Sequence, residues 1–222
     1  MRKCLSSNSL KCIALVSMTV DHMGAMLFPE QIWMRCVGRL AFVLYAFLLT
    51  EGYVHTHDVR RYLLRLGVMA LISEVPFDLM AYGQIWSLQG QNVYFTLFLG
   101  LAALYAMDAI QLRFQKQGLI LSLIPAAAAC VAAALLRCDY EYFGVLMILI
   151  FYLFREEHVE QFIGIAVIQA LLGVIQLFGL FAFLPIACYT GERGKESKII
   201  QTLFYFYYPI HILVIYGISC AV

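Results

Sequence analysis

LKCIALVSMTVDHMGAMLFP, residues Leu10–Pro29, is the stretch on which the reading of the fold turns. From Leu10 to Phe28 it is almost wholly apolar, close to the roughly 20 residues of helix that a bilayer requires. It nevertheless holds Lys11 at its start and the adjacent pair Asp21 and His22 further on. Ten residues of helix at 1.5 Å each put that pair roughly 15 Å beyond the lysine, between the midplane and the outer face. A charge near a bilayer centre costs about 2.5–3.5 kcal/mol on insertion scales, so such residues generally pair and generally have a task. No small-residue cleavage site follows, and the stretch reads as a retained first span rather than a secretory signal.

The rest of the chain follows the same pattern. Of its 222 residues 63% are hydrophobic and only 13% charged, too little polar surface for a soluble domain of this size. Apolar segments recur near Ile32–Val54, Arg61–Tyr82, Val93–Leu112, Leu119–Leu136, Tyr140–Phe154, Phe162–Gly173, Leu177–Cys188 and Ile199–Ala221. With the first, they predict an all-α, polytopic transmembrane helical bundle of roughly nine spans in one domain, 1–222, the seventh and eighth spans being short. A net charge of +1 with no basic, aromatic-spaced patch excludes nucleic acid as a partner. The seven cysteines form no C-x-x-C pair and no histidine-adjacent ligand spacing, so no metal is expected.

Charge asymmetry gives the orientation. With the N-terminus inside and the sides alternating, twelve of the 15 basic residues face inward, leaving Arg35, Arg39 and Arg137 outside. The expected location is the inner (cytoplasmic) membrane of the cell, with a cytoplasmic N-terminus.

The outer-half charges gather. Arg35 and Arg39 are i,i+4 on the second segment, as are Glu74 and Asp78 on the third, with Pro76 between them. Three acids, two arginines and His22 at one depth can neutralise one another around a polar cavity. They can equally be read as structural ion pairs tying three helices together. Neighbouring residues on a helix do not face each other, so Asp21 is expected to pair with Arg35 or Arg39 and leave His22 pointing into the cavity. In Tyr208-Pro209-Ile210-His211 the proline frees a helical carbonyl. His211 is expected either to bond that carbonyl or to line the cavity opposite His22. Glu51 and His55 fall near the inner end of the second segment, and His158, beside Glu156 and Glu157, reads as a solvated loop.

These residues lie in blocks that resemble the TraX family of membrane acyltransferases. The blocks are Leu10–Pro29 with its Lys and Asp-His-x-Gly, RCVGRLAFVLYAFLLTEGYVHT (Arg35–Thr56), YLLRLGVMALISEVPFDL (Tyr62–Leu79), NVYFTLFLG (Asn92–Gly100) and YTGERGKESKIIQTLFYFYYPIHILVI (Tyr189–Ile215). In order they cover about half the chain and bracket nearly all of it. One departure is Val43, where the family pattern is expected to have a proline after Arg-Leu-Ala-Phe, so the resemblance does not carry that proline's kink over to this chain. The family's namesake N-acetylates pilin subunits, and the wider transmembrane acyltransferases draw on cytoplasmic acyl-CoA. The resemblance therefore implies transfer of an acetyl group from acetyl-CoA, as donor substrate, to an amine or hydroxyl of a peptide, small amine or glycan at the outer side.

Acyl transfer needs a base for the nucleophile and donors for the developing oxyanion. His22 is the expected base. Arg35 and Arg39 are oxyanion donors, or Arg39 is locked to Asp21, while Glu74 and Asp78 orient His22, dock an ammonium or compensate charge. The phosphates of coenzyme A are expected on Arg60, Arg61, Arg65, Arg193, Lys195 and Lys198, with Glu51, Asn92, Tyr208 and His211 as further cavity-lining residues. A proton-coupled carrier competes with this reading, because intramembrane acids and histidines also mark such pathways. A non-catalytic assembly partner is the third alternative.

Overall fold

The computed structural model describes residues 3–194 and 198–221, the side chains at 115, 116, 198 and 199 apart. Within them the chain is all-α. The helices are α1 (Ser7–Met26), α2 (Ile32–Gly38), α3 (Leu40–His55), α4 (Val59–Tyr82), α5 (Val93–Leu121), α6 (Leu123–Leu135), α7 (Glu141–Leu153) and α8 (His158–Leu172). A 3-10 helix (Val174–Ala182) then runs directly into α9 (Phe183–Ala187), and α10 (Lys198–Ser219) follows. Four helical stretches, Ile32–His55, Val93–Phe114, Gln117–Leu135 and Ile200–Ser219, are long and apolar enough to cross a bilayer. α7, α8 and the 3-10/α9 segment are shorter and apolar, which matches the short seventh and eighth spans the sequence predicts. The protein is a multi-pass membrane bundle.

Local signals set the helix ends. Ser6 accepts from the Ser9 amide at the start of α1, Asp58 accepts from Arg61 N at α4, and Asn92 accepts from Tyr94 N at α5, each satisfying a first-turn amide that has no helical partner. α4 stops at Gly83, whose left-handed φ of 65° a glycine adopts without strain. The helix is continuous through Pro76.

α3 runs unbroken through the buried Val43, in keeping with the missing proline, and the second segment is interrupted elsewhere. The break falls at Arg39, between α2 and α3, where α1 packs against both. α1 also packs on α10, α10 on α4, α4 on α5, α5 on α6 and α7, and α3 on α7 and the 3-10 helix. Leu44, Leu101, Leu104, Met107, Met147, Ile148 and Phe151 fill the centre.

The connections collect at two ends. At one end Cys4 and Leu5 donate backbone bonds to Cys188 O, Ser7 to Glu192 O, and Arg155 pairs with Glu51. At the other, the 83–92 and 136–140 connections are joined by Gln91 N to Arg137 O (3.0 Å) and Asp139 N to Gln91 O (2.9 Å).

Candidate active site

Asp21 joins both arginines. Arg39 Nη2 bonds its Oδ1 at 2.5 Å and Arg35 Nη1 its Oδ2 at 2.9 Å, while Arg35 Nη1 also donates to Asp21 O and Arg39 Nε to Arg35 O. The two alternative pairings from the sequence are thus both made. The geometry needs Gly38, whose bare Cα faces the Asp21 carboxylate. The Asp21 side chain is 12% exposed and that of Arg39 11%, whereas that of Arg35 is 35% exposed. Arg39 is therefore the locked member of the pair, and Arg35 the one that reaches accessible space.

His22 points away from that triad, as expected for the neighbour of Asp21. Its Nδ1 lies 2.8 Å from Nε2 of His211, with the rings nearly parallel at 4° and centroids 4.9 Å apart. His211 Nδ1 lies 2.8 Å from Tyr207 O. A carbonyl only accepts, so His211 Nδ1 carries a proton. With both rings neutral, His211 Nε2 then accepts and His22 Nδ1 donates. The chain of bonds leaves the lone pair of His22 on Nε2. Both sequence-level alternatives for His211 are thus refined: it bonds a carbonyl and it meets His22, but the carbonyl is that of Tyr207. The carbonyl that Pro209 frees is Tyr205 O, and Tyr94 Oη donates to it at 3.0 Å. Tyr208 closes one side, its ring edge-on to His22 (6.2 Å), His211 (5.8 Å) and Tyr94 (5.3 Å). The aromatic run Phe204–Tyr208 thus contributes Tyr207 and Tyr208 to the site.

Glu74 and Asp78 do not orient His22; that part of the expectation is corrected. They form a second cluster at the same end. Asn92 Nδ2 donates to Glu74 Oε2 and to Ala70 O (2.8 Å), and Ser87 N donates to Asp78 Oδ2 (2.7 Å). Glu74 is 3% exposed and Asp78 0%, and Glu74 Oε1 and Asp78 Oδ1 are buried without a hydrogen-bond partner. Tyr94, whose amide Asn92 caps, links this cluster to Tyr208.

Glu51 belongs to the opposite end. There it accepts from Arg155 Nε at 3.2 Å in a cavity of about 460 Å³ lined by Phe47, Phe151, Phe183, Lys3, His158 and Tyr189 among others. His158 therefore lines a cavity rather than a plain loop. Arg60, Arg61 and Arg65 are exposed on the first turns of α4, Arg60 and Arg65 reaching Tyr105 Oη and Tyr205 Oη at 3.4 Å, and Arg193 is exposed. Lys195 and the Lys198 side chain lie outside the described residues.

The sequence reading missed the 137–141 turn. Arg137, Tyr140 and Glu141 all take left-handed φ (53°, 62° and 45°), Tyr140 stacks on Phe42 at 4.1 Å, and Asp139 lies within electrostatic reach of Arg39 and Asp21. Three charges in five residues between apolar segments read only as an outer loop; no periodicity ties them to Arg39.

The family model described as TraX protein matches residues 6–219. The probable fimbrial assembly protein FimC, serogroup H1, of Dichelobacter nodosus is 30% identical, over 93% of this chain and 93% of its own. An uncharacterized protein of Rickettsia prowazekii (strain Madrid E), RP591, is 28% identical over 43% of this chain and 35% of its own. No solved structure matches. The family match runs from the cap of α1 to the end of α10 and so takes in both histidines, the arginine pair and the buried acids: the chain belongs to the TraX family.

Proposed function

We propose that the protein is a membrane-embedded acetyltransferase that moves an acetyl group from cytoplasmic acetyl-CoA to an amine or hydroxyl acceptor at the outer side of the membrane. The observation that carries this reading is the bond chain from Tyr207 O through His211 to His22, which leaves a lone pair on His22 Nε2. A base with one fixed tautomer and one free nitrogen is what deprotonation of an attacking nucleophile requires. Arg35, partly accessible and anchored on Asp21, holds the oxyanion that forms as the thioester carbonyl is attacked. Asp21 and Arg39 form its support. Glu74 and Asp78, buried and bonded to Asn92 and Ser87 N, compensate charge at this end. The acceptor is a peptide, small amine or glycan; the name of the Dichelobacter relative, a fimbrial assembly protein, favours an exported protein.

The donor arrives from the opposite end. Its phosphates rest on Arg60, Arg61, Arg65, Arg193, Lys195 and Lys198, and the cavity beside Glu51 and Arg155 is the opening through which its acyl arm enters. The inward skew of basic residues supports a cytoplasmic N-terminus in the inner membrane.

The test is turnover of labelled acetyl-CoA by the full chain in lipid nanodiscs with candidate amines and hydroxyls. Release of free coenzyme A that depends on acceptor and is abolished in His22→Ala is the expected result. Equal release by wild type and His22→Ala, or none together with proton-driven solute uptake, refutes it.

A further inference from the structure

When His22 Nε2 takes a proton, the positive charge arises in a poor place. Arg35 and Arg39 stand on the neighbouring residue, Asp21, whose single carboxylate already bonds both. Of the other carboxylates at this end, Glu74 bonds Asn92, Asp78 bonds Ser87 N, and Asp139 lies within electrostatic reach of Arg39. The familiar orienting carboxylate behind a catalytic histidine is thus replaced by a second imidazole.

We propose that His211 is a second proton-accepting residue of the reaction, so that the base is the His22–His211 pair. This rests on the acetyltransferase reading. As the acceptor nitrogen or oxygen bonds the thioester carbon, the carbonyl electron pair moves to oxygen and the acceptor's proton goes to His22 Nε2. The proton on His22 Nδ1 then crosses the 2.8 Å bond to His211 Nε2. His22 becomes neutral, now protonated on Nε2. His211 becomes the imidazolium, with Nδ1–H still held by Tyr207 O. When the carbon–sulfur bond breaks, the leaving thiolate takes the Nε2 proton of His22, and the borrowed proton returns from His211 to His22 Nδ1. Atoms and charges balance without any further reagent.

The charge thereby moves from the arginine side to the α10 side, and it has nowhere else to go. Beyond His211 lies a cavity of about 360 Å³ between α1 and α10, lined mainly by apolar side chains that include Met23, Ile210 and Val214. The hydroxyls that border it, Thr19 and Tyr207, bond each other at 2.7 Å, and Thr19 also donates to Leu15 O. A proton on His211 returns the way it came. The groups facing the pair are Asp21 on α1, Arg35 and Arg39 at the α2–α3 break, Tyr207 and Tyr208 on α10, Tyr94 on α5 behind Tyr208, and Asp139 opposite Arg39.

Two measurements on the full chain in nanodiscs test this. In the first, nitrogen-15 spectra of histidine-labelled protein, assigned with His22→Gln and His211→Gln, are followed on acidification. The expected result is that the first proton taken up at the pair moves the ring signals of both histidines together; movement of His22 alone overturns the proposal. In the second, His211→Gln offers an amide oxygen to His22 Nδ1–H but cannot take a proton. Since a general base contributes about 10²–10⁴-fold, His211→Gln and His211→Ala are both expected to lose roughly 100-fold in kcat, with KM for acetyl-CoA within about threefold. Near wild-type kcat in His211→Gln with a deep loss in His211→Ala makes His211 a positioning residue and overturns the proposal. A wild type with no donor turnover sinks the acetyltransferase reading instead, and the spectra then decide the pair.

Discussion

Gly38 has no side chain because Asp21 occupies the space one would need. A Cβ built on Gly38 falls 2.1 Å from Asp21 Oδ1 and 2.2 Å from Asp21 Cβ, far inside contact distance. Gly38→Ala therefore forces Asp21 off its two arginines. Breaking a buried ion pair costs about 3–5 kcal/mol because the surviving charge is left without a partner. A fall in the unfolding midpoint in lipid or detergent equivalent to about 3 kcal/mol is expected. Gly217→Ala, with no atom within 4 Å of the added carbon, is the control and leaves the midpoint unchanged or higher.

Pro209 and Tyr94 are predicted to be coupled. The proline withholds the amide that Tyr205 O would otherwise receive, and Tyr94 Oη supplies the missing donor. Tyr94→Phe leaves a carbonyl unsatisfied at about 1–3 kcal/mol. In a Pro209→Ala background the restored amide takes the bond, so the same change costs little. A double-mutant cycle on unfolding should return a coupling of about 1 kcal/mol; additive effects would show that Tyr94 does not serve this carbonyl.

The 137–141 turn stores strain that glycine relieves. Arg137 is exposed and sits at φ 53°, a region that costs a side-chain-bearing residue roughly 1–2 kcal/mol. Arg137→Gly is expected to raise stability by about 1 kcal/mol, less the entropy that glycine adds to the unfolded chain. Thermal unfolding reads this directly, and a lower midpoint counts against it.

Asp139 should make stability pH-dependent near neutrality. Its side chain is accessible at the mouth of the site yet crowded by protein, and desolvation holds the carboxyl up at about 6, with Arg39 pulling down and Asp21 pushing up. A carboxyl raised in the folded state binds its proton more tightly there than in the unfolded chain. Stability therefore falls as pH rises from the ordinary carboxylate range through about 6. The drop in melting temperature over that window should be smaller in Asp139→Asn than in wild type.

The segment pattern was legible because hydrophobic length is a local property. Leu10–Phe28 and Ile32–Val54 correspond closely to α1 and to α2–α3. The Asp21–Arg35–Arg39 cluster was legible too, since charges at one depth in neighbouring spans must find one another. The interruption at Arg39 was not: Arg39 keeps helical φ and ψ, and the approach of Gly38 to Asp21 beside it spans 17 positions with no local signal. The partner of His22 was legible only as one of two alternatives for His211. Asp78 and Glu74 sat at the right depth, and only the packing of α10 on α1 brings His211 to the ring instead.

The two imidazoles that meet in the membrane are 189 positions apart, one on α1 and one on α10. The stitch of Cys4, Leu5 and Ser7 to Cys188 and Glu192 holds the first helix to the segment just ahead of the last. While the chain is being threaded into lipid, His22 has no tautomer-setting neighbour, and it gains one only when the final helix docks. The His22–His211 contact thus waits on the docking of α10, and a chain truncated before α10 cannot form it.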